Sequence, residues 1–208
     1  MQRRKASGDE AWLLSYADLI TNLLIFFVML LSAAEISRSK MQKITQNLSG
    51  QESPQSLSSI QKEIDQKIVE RGMESLVSTK LTDDGLELSL NSGIVFDSGK
   101  ALIRDEVTKI VSAMLGTLSP YAQRYAFAVE GHTDRIPLTE GSSFRSNWEL
   151  STARAHAVRS RLEATGIPPE RIRVEGYADT KPLPPDELKG LSDTEVLARH
   201  RRVIVRVY

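Results

Sequence analysis

The sequence predicts an α/β domain carried behind a single membrane-spanning helix. Three observations point to that class. A predominantly apolar run with one formal charge extends from Ala11 to Ala34, a polar stretch containing Ser, Gly and Pro follows it, and from Asp84 onward segments of alternating hydrophobicity take turns with segments of helical spacing. Within 208 residues, 27 acidic side chains balance 27 basic ones, so charge gives no argument for a nucleic-acid partner. The chain has no cysteine, which excludes disulfides and thiolate metal sites.

Residues 1–10 read as a short tail, and the span follows at 11–34. A helix of these 24 residues is about 36 Å long, against a hydrocarbon core of about 30 Å. It is too long for a signal-peptide core and reads as a retained anchor. Arg3, Arg4 and Lys5 precede it while Arg38, Lys40 and Lys43 follow, so counting basic residues leaves its orientation open. Asp18 is the one formal charge within it, about 10 Å along the axis; at a helix centre, insertion of an ionised Asp costs on the order of 2.5 to 3.5 kcal/mol. Ser15, Thr21 and Asn22 fall at i−3, i+3 and i+4 from it and share its face. Such a polar stripe must meet protein or water: it either carries a proton or cation through Asp18 or joins helices by hydrogen bonds.

After Ala34, Met41, Ile44 and Leu48 form a short, weakly amphipathic pattern, and 47–54 reads as a linker. Leu57, Ile60, Ile64 and Ile68 make a narrow helical stripe that pairs with a copy of itself or packs on the following domain, ending near Gly72. Residues 35–72 are thus assigned to linker and 73–208 to the folded domain. Leu86, Leu88 and Leu90 alternate with polar residues in a strand after the turn at Asp83-Asp84-Gly85. A helix is expected between Gly99 and Leu118, with Leu102, Ile110, Val111, Met114 and Leu115 at helical spacing. Tyr125 to Glu130 is the second strand, running into the polar loop Gly131-His132-Thr133-Asp134, where His132 is read as structural. Ser146-Asn147-Trp148-Glu149 has capping-box form and opens a helix closed by Gly166 and Pro168-Pro169. Arg171 to Tyr177 is a third strand, Ser192 and Glu195 box a short helix, and Arg202 to Tyr208 is the last strand. Helices therefore pack on a mixed sheet.

Gly131-His132-Thr133-Asp134 and the run Asn147-Trp148-Glu149-Leu150-Ser151-Thr152-Ala153-Arg154-Ala155 closely resemble the OmpA-like peptidoglycan-binding domain. Phe96-Asp97-Ser98-Gly99 and Arg201-Arg202-Val203 fit the same pattern. Ser-Asn-Trp-Glu-Leu-Ser ahead of Arg-Ala, with Trp12 and Ser15-Tyr16-Ala17-Asp18 in the span, is similar to the B subunit of the bacterial flagellar stator, the MotB type.

The resemblance implies a homodimer of this chain inside a ring of MotA-type membrane subunits, which contact the rotor. It implies an inner-membrane protein with a cytoplasmic N-terminus and a periplasmic C-terminal domain. Asp18 would be the ion-binding carboxylate, with Thr21, Asn22 and Tyr16 beside it, and Ile36, Met41, Ile44 and Leu48 would belong to a plug. No cofactor is expected beyond the transported H+ or Na+, the proton being favoured. The family's ligand is the diaminopimelate of a peptidoglycan stem, whose free end carries an ammonium and a carboxylate. Asp134 can accept from the ammonium and Arg154 can pair bidentately with the carboxylate, while Asn147, Leu150, Ser151 and Thr133 line the pocket. Competing readings are a non-flagellar motor (phage defence or gliding) and a purely structural membrane-to-wall tether. No carboxylate pair or Ser/His/Asp set recommends a wall hydrolase or another enzyme.

Overall fold

The computed structural model describes residues 11–33 and 56–208, with side chains of the first segment described from 12 to 30. Two units result, an N-terminal one and a globular one. The plug residues Ile36, Met41, Ile44 and Leu48 lie outside the described residues.

The N-terminal unit is one helix, α1 (Ala11–Ala33), which is long and apolar enough over Trp12–Leu30 to cross a membrane. At its start the Trp12 and Tyr16 rings pair at 6.5 Å, an i, i+4 contact.

The globular unit begins with α2 (Leu57–Glu70). Ser56 caps it by accepting from Ser59 N at 3.2 Å, and Leu57, Ile60, Ile64 and Ile68 are all buried in the domain core. The stripe therefore packs on the domain, and the core starts ahead of the expected boundary at Met73. Polar bonds fix its position: Thr79 Oγ1 donates to Asp65 at 2.5 Å, and Tyr121 OH donates to Glu63 at 2.6 Å, which pushes the phenol up to about 12.

Next come β1 (Val77–Thr82) and β2 (Gly85–Asn91), an antiparallel hairpin turning at Asp83-Asp84. The helical turn α3 (Ser92–Val95) precedes α4 (Asp105–Gly116). Here the expected start at Gly99 is wrong: Leu102 is 75% exposed in a loop, and the helix begins only where Asp105 and Glu106 complement its amino end. Val111, Met114 and Leu115 face the core as expected. The remaining strands and α-helices are β3 (Phe127–His132), α5 (Asn147–Ala164), β4 (Ile172–Ala178), α6 (Asp193–His200) and β5 (Arg202–Val207). Ser192 and Glu195 form a full capping box on α6. On α5 Ser146 accepts from Glu149 N, but Glu149 reaches back to Arg145 N at 2.8 Å and not to Ser146.

The five strands lie in the order β1-β2-β5-β3-β4, with β3 and β4 parallel and the other pairs antiparallel. That is the mixed sheet the sequence predicts, with one strand more. Rows of partners such as Leu88, Val205 and Val129 fill one face and form the core. The opposite face is charged. Arg206 Nε donates to Glu130 at 2.7 Å, and Arg206 Nη1 lies 2.9 Å from Glu87. His132, stacked 5.5 Å from Tyr177, lies 3.6 Å from Glu130.

These groups set a pH dependence. Burial pushes His132 below the ordinary imidazole value of 6.5, against the pull of Glu130. Burial would push Glu130 up, yet the nearby His132 ring and the bond from Arg206 outweigh that and hold it at about 2. At both groups the folded state binds fewer protons than the unfolded chain, so stability is fully present above about pH 6.5. It declines as His132 in the unfolded chain protonates, then again below about pH 4.5 as unfolded Glu130 does. Glu87, which burial pushes up against the pull of Arg206, offsets part of the second decline. Urea midpoints should therefore fall in order at about pH 8, about pH 6 and about pH 4; a constant midpoint contradicts the account.

Candidate functional site

Parallel β3 and β4 bring their carboxyl ends side by side, and the site is built where β3 runs out. Thr133 N donates to Ala178 O at 2.8 Å, and Ala178, with φ +48°, turns its own N–H onto Ser151 Oγ at 3.2 Å. This junction presents Asp134, which is 8% exposed. Its Oδ1 accepts from Ile136 N at 3.0 Å, a local turn of the kind Asp favours, and its Oδ2 accepts from Arg201 Nη1 at 2.6 Å. Asn147, the first residue of α5, donates from Nδ2 to the carbonyls of Asp134 at 3.3 Å and Ile136 at 2.9 Å. It thereby pins the loop that holds the carboxylate.

Leu150 and Arg154 follow Asn147 on one face of α5. Arg154 is 4% exposed. Nε donates to Lys100 O at 2.9 Å, Nη2 donates to Asp97 O at 3.2 Å, and the guanidinium lies 5.1 Å from the Phe96 ring centroid. Burial pushes it down to about 10, with Arg201 adding to the shift and Asp134 opposing it, so it remains a cation at neutral pH. The two bonds use two of its five donors, and Nη1 remains to meet a ligand.

Thr133, Asp134, Asn147, Leu150 and Arg154 together line a cavity of about 720 Å³. Thr133 Oγ1 is buried there with no hydrogen-bond partner among the described residues. Ser151 does not line the cavity: fully buried, it donates to Trp148 O at 3.0 Å and accepts from Ala178 N, so its hydroxyl joins α5 to β4. Arg201 does line the cavity, and the sequence reading gave it no role. Its signal there was the run Arg201-Arg202-Val203, which fits the OmpA-like pattern but says nothing of a partner 67 residues away.

On α1 the structure joins two of the expected ion-site residues. Asn22 Nδ2 donates to Asp18 Oδ1 at 3.3 Å, and Thr21 donates to the carbonyl of Ala17. Tyr16 does not join them. Two positions from Asp18 it points about 200° around the helix, and its ring meets Trp12. A carboxylate with an amide beside it on a predominantly apolar helix can bind and release a small cation.

Comparison with known proteins adds two family matches. Residues 1–51 match the family described as membrane MotB of the proton-channel complex MotA/MotB, and residues 95–190 match the OmpA family. Motility protein B of Bacillus subtilis (strain 168) is 25% identical, over 96% of this chain and 90% of that protein. A MotB-like protein from Desulfovibrio vulgaris superposes with a TM-score of 0.63 at 24% identity, covering 73% of this chain and 90% of that one. The cell wall anchor of the T6SS from Pseudomonas aeruginosa does so with a TM-score of 0.57 at 27% identity, covering 70% and 96%.

Proposed function

Because this chain is a MotB-type protein, an OmpA-family domain behind a membrane helix, we propose that it is the wall-anchored subunit of an ion-driven motor. In this reading Asp18 loads and releases a cation, a proton first of all, inside a ring of MotA-type subunits, and flagellar rotation is the output. The chain works as a homodimer in the inner membrane with its N-terminus in the cytoplasm. The cavity holds the diaminopimelate end of a peptidoglycan stem in the periplasm, with Asp134 accepting from the ammonium and Arg154 donating to the carboxylate.

One observation carries the reading: a single chain bears both a lone acid on a lipid-length helix and a cavity with buried charges of both signs. A bare tether has use for the second and none for the first. The resemblance to a protein named a cell wall anchor supports the ligand class.

Wall binding is tested by sedimenting the detergent-solubilised full chain with purified peptidoglycan sacculi. The parent protein is expected in the pellet, and Arg154→Ala in the supernatant at an unchanged far-UV spectrum. A parent chain that stays in solution, or an Arg154→Ala variant that pellets equally, overturns the assignment of the cavity.

A further inference from the structure

Resting on that reading, we propose that Arg201 makes the cavity selective for a stem end bearing two free carboxylates and one ammonium, over the same end with one carboxylate capped as an amide. The charges that meet inside the cavity do not balance. Arg154 and Arg201 are two cations facing one anion, Asp134, within the same lining. The other charges that line the cavity sit at its exposed rim, where water screens them: Lys100, 65% exposed and paired with Asp97 at 3.1 Å, and Glu140.

A ligand with one ammonium and one carboxylate leaves this excess in place. Its carboxylate pairs with Arg154, but its ammonium must share Asp134 with Arg201, which already holds Oδ2 at 2.6 Å. A second carboxylate resolves the competition by giving Arg201 an anion of its own. Arg201 is equipped for this, since its side chain is 36% exposed and, among the described residues, its Nε and Nη2 make no hydrogen bond. A planar guanidinium can hold Asp134 along one edge and a second carboxylate along the other. Diaminopimelate at the end of a tripeptide stem has the required charges: one amine lies in the peptide bond and the other is free, and both carboxylates are ionised.

The test is calorimetric titration of the full chain in detergent micelles with L-Ala-γ-D-Glu-meso-diaminopimelate. The comparison ligand is the same tripeptide with the carboxylate of the peptide-bonded centre converted to a carboxamide. The diacid is expected to bind at least about tenfold more tightly. Arg201→Gln should bring the two affinities to within about twofold, while Arg201→Lys, which keeps the cation but not the two-edged fork, should retain only part of the preference, both variants being checked by thermal melting. Equal affinities in the parent chain, or a preference that survives Arg201→Gln, overturn the inference and leave wall binding intact. If Arg201→Gln does not fold, the parent ratio decides alone. Binding of neither peptide overturns the peptidoglycan reading itself, and this inference with it.

Discussion

Asp18→Asn is expected to abolish ion flux through the assembled complex and with it all motor output. The substitution keeps the size of the side chain and a carbonyl oxygen for Asn22 Nδ2, which lies 3.3 Å from Asp18 Oδ1. It removes the one property an ion carrier needs, a charge that a cation can neutralise and then restore. Insertion should improve, because a neutral amide in the bilayer is less costly than a carboxylate. Flux is measured in proteoliposomes holding the full chain with its partner membrane subunits, and sedimentation with sacculi serves as the control for the globular unit. Sacculus binding should be unchanged. Flux that persists in Asp18→Asn would mean that the acid only packs helices together, and the tether reading would then replace the motor.

Legibility of the fold followed how locally each feature is written. The start of α6 was readable because Ser192 and Glu195 are three residues apart and bond each other. The strand β1 was missed because Val-Ser-Thr-Lys-Leu-Thr lies at the sheet edge with one side half exposed, so its alternation is diluted by polar residues on both faces. The candidate site divides in the same way. Asn147, Leu150 and Arg154 recur at a spacing that one helical face imposes, and they converge as expected. Ser151 is contiguous with them in the motif but turned about 100° from Leu150, which takes it to the sheet and away from the cavity. Tyr16 departs from Asp18 by the same geometry. The Arg201 pair with Asp134 joins the end of α6 to the end of β3, and nothing local to either residue announces it. The hydrophobic stripe of α2 was plain, but a stripe does not say what covers it; only the packed core placed it on the domain.

Gly131→Ala should cost the globular unit about 3 kcal/mol or more, a larger loss than most single methyl groups cause. The glycine is not needed for a left-handed backbone; it is needed because α5 lies directly on it. A Cβ built there falls 1.9 Å from Ser151 O and 2.6 Å from Ser151 C, and backbone atoms in mid-helix cannot step aside. Gly176, its partner on β4, also lies against α5, there through side chains, with a Cβ 2.0 Å from Thr152 Oγ1 and 3.1 Å from Ser151 Oγ. The two glycines form a flat seat across parallel strands, and the helix resting on it carries Asn147, Leu150 and Arg154. Lifting α5 therefore draws Arg154 away from the Lys100 and Asp97 carbonyls and pulls Asn147 off the loop that holds Asp134. Stability and sacculus binding should fall together. Gly141→Ala is the contrasting substitution, because Gly141 also lines the cavity but a Cβ there meets nothing within 4 Å. Its φ of +87° makes Ala strained, at a cost of about 1 kcal/mol. Urea unfolding of the two variants separates the explanations: if Gly131→Ala costs no more than Gly141→Ala, close helix-to-strand contact is not what the Gly-His-Thr-Asp motif protects.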